Sequence, residues 1–358
     1  MFRMPGCPYE GVSVLLEKGR AVSSPQTELR SRQIRRLFFL TVVFLCATVL
    51  SLFLGRYPKS GFLPVTLLAE DALARSLFLN LRVPRVLTAV LLGTCLGGSG
   101  MVFQMLFANP LVEPGFLGVS QGAAFGAGLA IIFFGGDAWL IQGCAAVFAF
   151  SGLILSYLLA HRIRFGGWIL RLVLSGIAVS ALFSAGVGIL KYVADPLGQL
   201  PEITFWLLGG LWGVSWSRLL SVLPASVAGI AFIIGRRWRL NLLTLGDETV
   251  HSLGAAPGRE RILLLAAAVA STAALISVCG VVGWIGLIVP HLSRRLFGVD
   301  TRFSLPGSML IGALFTLFCD DIARVLMAAE IPLGILTSLI GAAFFLFLMT
   351  SKRRKVEA

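Results

Sequence analysis

Charge is what this chain has least of: only 13% of its 358 residues are Asp, Glu, Lys or Arg, while 57% are apolar. Water-soluble domains carry about 25% charged residues, so a chain this poor in charge cannot cover itself against water. Lipid must be its main solvent, in keeping with a mean hydropathy of +0.90. Histidine is sparser still, and His161, His251 and His291 stand too far apart for a metal site to be read from their spacing. Cys7, Cys46, Cys95, Cys144, Cys279 and Cys319 include no CxxC pair, so neither a disulfide framework nor a metal cluster is indicated. There is no GxxxxGK[ST] loop to cradle nucleotide phosphates, and no serine, cysteine or carboxylate sits in a hydrolytic motif. Catalytic and metal-binding residues are therefore expected to be absent, and the chain is not read as an enzyme.

What is present is a series of apolar runs near the 20 residues or so that a spanning helix needs. Ten are read, at 37–55, 86–107, 115–134, 139–160, 168–193, 219–234, 262–282, 285–297, 305–328 and 331–350. The chain is accordingly an all-α polytopic membrane protein of about ten transmembrane helices. The run at 285–297 is short, and a broken helix there needs protein or a water-filled cavity over its free backbone groups. Lys and Arg cluster before residue 37, near 162–171, 236–261 and 294–302, and after 351, which by the positive-inside rule puts both termini in the cytoplasm. The net charge of +13 is then mainly topological, and no nucleic-acid module accompanies it. Residues 1–36 lack the apolar core of a secretory signal and read as a cytoplasmic extension, 37–350 as the membrane domain, and 351–358 as a basic cytoplasmic tail.

Between two apolar runs lies LGDETVHSLG, made of Leu245, Gly246, Asp247, Glu248, Thr249, Val250, His251, Ser252, Leu253 and Gly254. Asp247 is suited to cap a short helix and Gly254 to close it in a left-handed conformation. Val250 and Leu253 share one face, as a ridge entering a partner's groove does, although an ordinary capped loop helix has the same pattern. Gly93 with Gly97, Gly122 with Gly126, and Gly209 with Gly213 have the spacing that lets helices approach closely in lipid. Polar groups inside or beside spans each need a reason. One set is Arg82, Pro84 and Arg85 followed by Ser99, Gly100, Gln104, Asn109 and Pro110; a second is Pro290, His291, Arg294 and Arg295. The third is Asp320, Asp321 and Arg324, in which Asp320 and Arg324 are four apart and can pair, as a structural staple or as a proton site. On the outer side Arg56 and Lys59 suit either interfacial anchoring or pairing with an acidic partner surface.

Four ordered blocks carry a family resemblance: RVPRVLTAVLLGTCLGGSGMVFQMLFANPLVEPGFLG (82–118), LGDETVHSLG (245–254), GVVGWIGLIVPHLSRRLFGVDTR (280–302) and DDIARVLMAAEIPLGILTSLIGAAFF (320–345). Together they resemble the FecCD or BtuC-like permeases, the membrane subunits of ATP-binding-cassette importers for iron siderophores, haem and vitamin B12. The resemblance implies the fold of a type II importer permease in the inner (cytoplasmic) membrane. A second copy of the chain would complete the pathway, two cytoplasmic ATPase subunits would bind ATP and Mg, and an extracytoplasmic binding protein would deliver substrate. It implies that the loop at about 236–261 is the coupling element that docks on the ATPase. Span 168–193 resembles the pathway-lining fifth helix and offers Ser175, Ser180 and Ser184 as its polar groups. Ferric siderophore is the first expectation for the substrate, with haem, cobalamin and oxyanions as others. The sequence departs from the family at Ala108, Trp284 and Ala343, where Arg, Phe and Pro are usual. The rival reading is a carrier driven by an ion gradient through Asp320 or Asp321.

Overall fold

The computed structural model describes residues 25–57, 61–327 and 329–350. The chain opens with α1 (Pro25–Phe53), a two-residue hairpin of β1 (Leu54–Gly55) and β2 (Gly61–Phe62), and the short α2 (Val65–Glu70) and α3 (Ala72–Leu77). A π-helical turn over Phe78–Arg82 joins α3 to α4 (Val83–Leu106), so that 72–106 forms one continuous rod. There follow α5 (Val119–Phe133), α6 (Ala138–Arg162), α7 (Trp168–Val193), α8 (Gln199–Leu208) and α9 (Trp216–Gly235). Two short helices, α10 (Arg237–Leu242) and α11 (Asp247–Ser252), precede α12 (Pro257–Cys279), α13 (Ile285–Phe297), α14 (Thr301–Val325) and α15 (Leu333–Thr350).

Among the described residues seven stretches are long and apolar enough to cross a membrane, and α5 and α15 are shorter apolar helices. With α13 they account for the ten runs read from the sequence, one helix to each. Local chemistry sets several starts: the side chains of Asp137, Ser215 and Asp300 accept hydrogen bonds from the first-turn amides of α6, α9 and α14. The polar stretch from Pro25 to Arg36, read as extension, continues the helix of the first span. Helix α8, which lies outside the ten runs, has ten residues and is too short to give a spanning signal.

The bundle is layered by burial. The α3–α4 rod is 78% buried over its most apolar window and α1 only 6%, so α4 runs through the centre and α1 lies at the edge. Small residues permit this. A Cβ at Gly93 would overlap the Gly312 carbonyl of α14, one at Gly97 the Ser308 carbonyl, and one at Gly100 the Gly286 carbonyl of α13. The contact is sealed by the Ser308 hydroxyl, which donates to the Gly97 carbonyl at 2.7 Å. Gly122 and Gly126 bring α5 equally close to the backbone of α6 at Phe148 and Cys144. The third pair is a correction: Gly209 ends α8 with φ 65° against the Val281 carbonyl, and Gly213 lies in the following turn, so they form no helix-packing face.

Candidate functional site

The connection between α9 and α12 is a self-supporting platform. Glu260, in the first turn of α12, receives Arg236 at 2.8 Å and Arg239 at 2.5 Å. Asn241 donates to Asp300 at 2.9 Å and accepts from the Thr301 hydroxyl at 2.9 Å, which fixes α10 to the start of α14. Arg261 grips Asp247 through both terminal nitrogens, at 2.6 and 3.0 Å, and its guanidinium lies 5.3 Å from the ring centroid of Trp168, the first residue of α7. The Arg261 hydrogen bonds hold the Asp247 carboxyl below its ordinary range.

Asp247 does not cap α11. Gly246 takes the cap position with φ 87° and ψ 150°, a conformation open to glycine, and the Asp247 carboxylate is already engaged by Arg261. The proposed ridge also divides. Val250 is fully buried and Leu253 is 57% exposed, so the first anchors the platform and the second faces outward. Gly254 closes the helix at φ 78°, its amide donating to the His251 carbonyl at 2.9 Å. Leu245, Gly246, Asp247, Glu248, Thr249, His251, Ser252, Leu253 and Gly254 form one exposed edge around the buried Val250. Leu240 and Val250 join a single apolar cluster with Leu264, Met101, Ala127 and Leu172, which continues the platform into α12, α4, α5 and α7.

Beside the platform, at the same end of α4, the chain turns sharply. Ala108 takes φ 47°, and the Asn109 side chain accepts from the Leu111 amide at 2.9 Å, leaving Asn109 and Pro110 exposed. Gln104 ties this end of α4 to α13: its amide nitrogen donates to the Leu287 carbonyl at 2.9 Å, and its oxygen accepts from Arg294. Helix α13 begins in the protein interior after Trp284, whose φ is 72°, and the Trp284 amide donates to Glu113 at 3.3 Å. Backbone left open by the short span is thus covered by protein, as the hydrocarbon region demands.

At the opposite end of α4 lies a charge cluster. Arg85 binds Asp320 at 2.9 Å and Glu330 at 2.8 Å. Arg324 stands 3.0 Å from Asp320, without the alignment of a hydrogen bond, and also pairs with Asp321. Ser51 of α1 donates to Asp321 at 2.7 Å, and Arg324 donates to the Leu54 carbonyl at 3.1 Å. The Asp320 side chain is 1% exposed. The expected pairing of Asp320 with Arg324 is present, but the partner from α4, Arg85, is 235 residues away and invisible to helical spacing.

The remaining candidates are dispersed. Ser175 is buried and donates to the Arg171 carbonyl at 2.8 Å, so it faces the chain's own interior. Ser180 is half-buried and Ser184 exposed. Arg56 borders a cavity of about 200 Å³ shared with Arg82, Arg85, Arg324 and Glu330, and Lys59 lies outside the described residues.

Residues 40–351 match the FecCD transport family. The molybdate import system permease protein MolB of Haemophilus influenzae is 38% identical over 325 residues, covering 89% of this chain and 96% of MolB. The hemin transport system permease protein HmuU of Yersinia pestis is 42% identical over 287 residues, covering 78% and 84% of the two chains. Among solved structures, an inward-facing conformation of an ABC transporter described as metal-chelate type superposes with a TM-score of 0.81 at 38% identity, over 88% of this chain and 98% of that one.

Proposed function

Since the chain belongs to the FecCD transport family, it is the permease subunit of an ABC importer, and we propose that it carries a metal chelate, a ferric siderophore first among them, through a pathway formed with a second copy of itself. In this reading both termini face the cytoplasm, two ATPase subunits bind ATP and Mg below the platform, and a binding protein delivers substrate to the outer end, where Arg56 lies. The same reading assigns no cofactor to this chain.

One observation supports the coupling role above others: Asp247, Arg261 and Trp168 form a continuous chain of contacts from the exposed edge of α11 through α12 to the start of α7. A push on the platform would therefore reach the helix that the family resemblance places along the pathway. Displacement of one packed element against another between two discrete arrangements is the ordinary means of such transmission. The buried charge cluster favours a staple over ion coupling, because Asp320 is held by two arginines and shielded from water.

The test is co-purification of the ATPase with the wild-type chain and with a chain whose residues 245–254 are replaced by a Gly-Ser linker. Retention by wild type alone supports the assignment. Equal retention by both moves the docking surface elsewhere, and transport in liposomes on an ion gradient without ATPase would overturn the importer reading.

A further inference from the structure

A second cavity, of about 420 Å³, opens at the end of the bundle opposite the platform, between the starts of α6 and α9, helix α8 and the end of α12. Its size falls in the range of about 300–1,000 Å³ that small-molecule pockets occupy. Phe205, Trp206 and Trp212 supply aromatic wall, with Phe205 and Trp212 edge to face at 6.5 Å between centroids. Two opposite charges enter the same space. Arg218 borders it from α9 and Glu202 from α8, and among the described residues neither has a hydrogen-bonding or ion-pairing side chain for its charged end. They do not pair with each other. The Glu202 carboxylate instead rests over Gly136, its oxygens 3.1 Å from where a Cβ there would lie. Gln142, which lines the same cavity, donates its amide nitrogen to Ser221 at 2.8 Å, while its oxygen is shielded from solvent with no donor.

Glu202 is exposed and Arg218 half-buried, whereas the Gln142 oxygen is buried, and a buried polar atom without a hydrogen bond is costly. We propose that this cavity binds a zwitterion, with a phosphate or carboxylate on Arg218 and an ammonium group between Glu202 and the Gln142 oxygen. The guanidinium fork matches an oxyanion, and the indole faces favour a cation beside them. The Gln142 oxygen would receive the hydrogen bond it lacks. A phospholipid headgroup and a soluble zwitterion share this chemistry. The site lies within one chain and requires neither the ATPase nor the transported substrate, so it stands apart from the importer reading.

The full chain, purified in a neutral detergent, is titrated by calorimetry with dihexanoylphosphatidylethanolamine, with O-phosphoethanolamine, and with dihexanoylphosphatidylglycerol, which lacks the ammonium group. The expected result is saturable binding, one per chain, at least tenfold tighter for the ethanolamine lipid than for the glycerol lipid. Arg218→Gln and Glu202→Gln each weaken it at least tenfold. Both side chains are partly exposed, and should one variant fail to fold the other carries the test. Comparable binding of O-phosphoethanolamine assigns a soluble ligand, and binding of the lipid alone assigns a headgroup. Absence of saturable binding to either ethanolamine probe, equal affinity for the glycerol lipid, or unchanged affinity in a folded variant overturns the proposal.

Discussion

Arg261 faces two ways: its terminal nitrogens clasp Asp247 of α11, and its guanidinium plane meets the indole of Trp168 on α7 at 5.3 Å from the ring centroid. A single side chain thus joins the edge of the platform to a helix that lies outside it. Removing it should separate docking from response. Arg261→Ala is expected to retain the ATPase but to lower substrate-stimulated ATP hydrolysis about 2- to 30-fold, the span of a coupling energy of about 0.5–2 kcal/mol. Lysine at this position keeps the charge but not the two-pronged grip, and should restore only part of the stimulation. Full stimulation in the alanine variant would exclude this route.

The ion cluster at the far end of α4 makes a prediction about stability instead. Asp320→Ala leaves Arg85 and Arg324 facing each other in a dry site, and breaking a buried pair in this way costs about 3–5 kcal/mol. Glu330 also pairs with Arg85, at 2.8 Å, but its side chain is 37% exposed and water can replace the contact, so Glu330→Gln should cost no more than about 1 kcal/mol. Thermal unfolding in detergent distinguishes them. Equal midpoints for the two variants would remove the staple role from Asp320.

Glycine substitutions on two helices should differ sharply. Gly97→Leu drives a side chain into the Ser308 backbone of α14 and is expected to abolish folded, monodisperse protein. Gly143 on α6 has open space where a Cβ would stand, so Gly143→Ala should be neutral or stabilising by up to about 1 kcal/mol. Size-exclusion profiles of the two variants provide the measurement, and a well-folded Gly97→Leu protein would contradict the close α4–α14 contact.

The platform should also respond to acid. The Asp247 carboxyl is held below its usual 3.8 by the Arg261 hydrogen bonds. A depressed acid stabilises the fold above its unfolded value, and that contribution disappears as the pH falls through the lower, folded value. Because the Asp247 side chain is 58% exposed, the effect is local and weak. Amide hydrogen exchange, corrected for intrinsic rates, should show protection around 247–255 falling below pH 3.8 in wild type and already low in Asp247→Asn. A flat wild-type profile would remove the role of this ion pair.

Much of this architecture is written in local pattern. Apolar runs of the right length give each span, and α13 emerges with the bounds 285–297 because a helical run there ends at Gly298. Contacts between distant segments are another matter. Spacing reveals the pairing of Asp320 with Arg324, since both lie on one helix, but nothing periodic links Arg85 to Asp320 or Arg236 to Glu260. Asp247 shows the same limit in reverse: its residue type suits a cap, and a tertiary partner fourteen positions later claims the carboxylate. Ser175 was legible as a polar residue in an apolar helix but not as an inward-facing one, because α7 presents different faces to its neighbours and its surroundings.

Helix α13 has thirteen residues and so a length of about 20 Å, against a hydrocarbon core of about 30 Å. On its own it cannot be released into the bilayer as a finished segment. Its start is covered by Gly100, Gln104 and Glu113, all made earlier in synthesis, and its end turns straight into α14. Its neighbours therefore supply the cover that its missing length would otherwise leave to lipid, and α13 counts as a span only together with them.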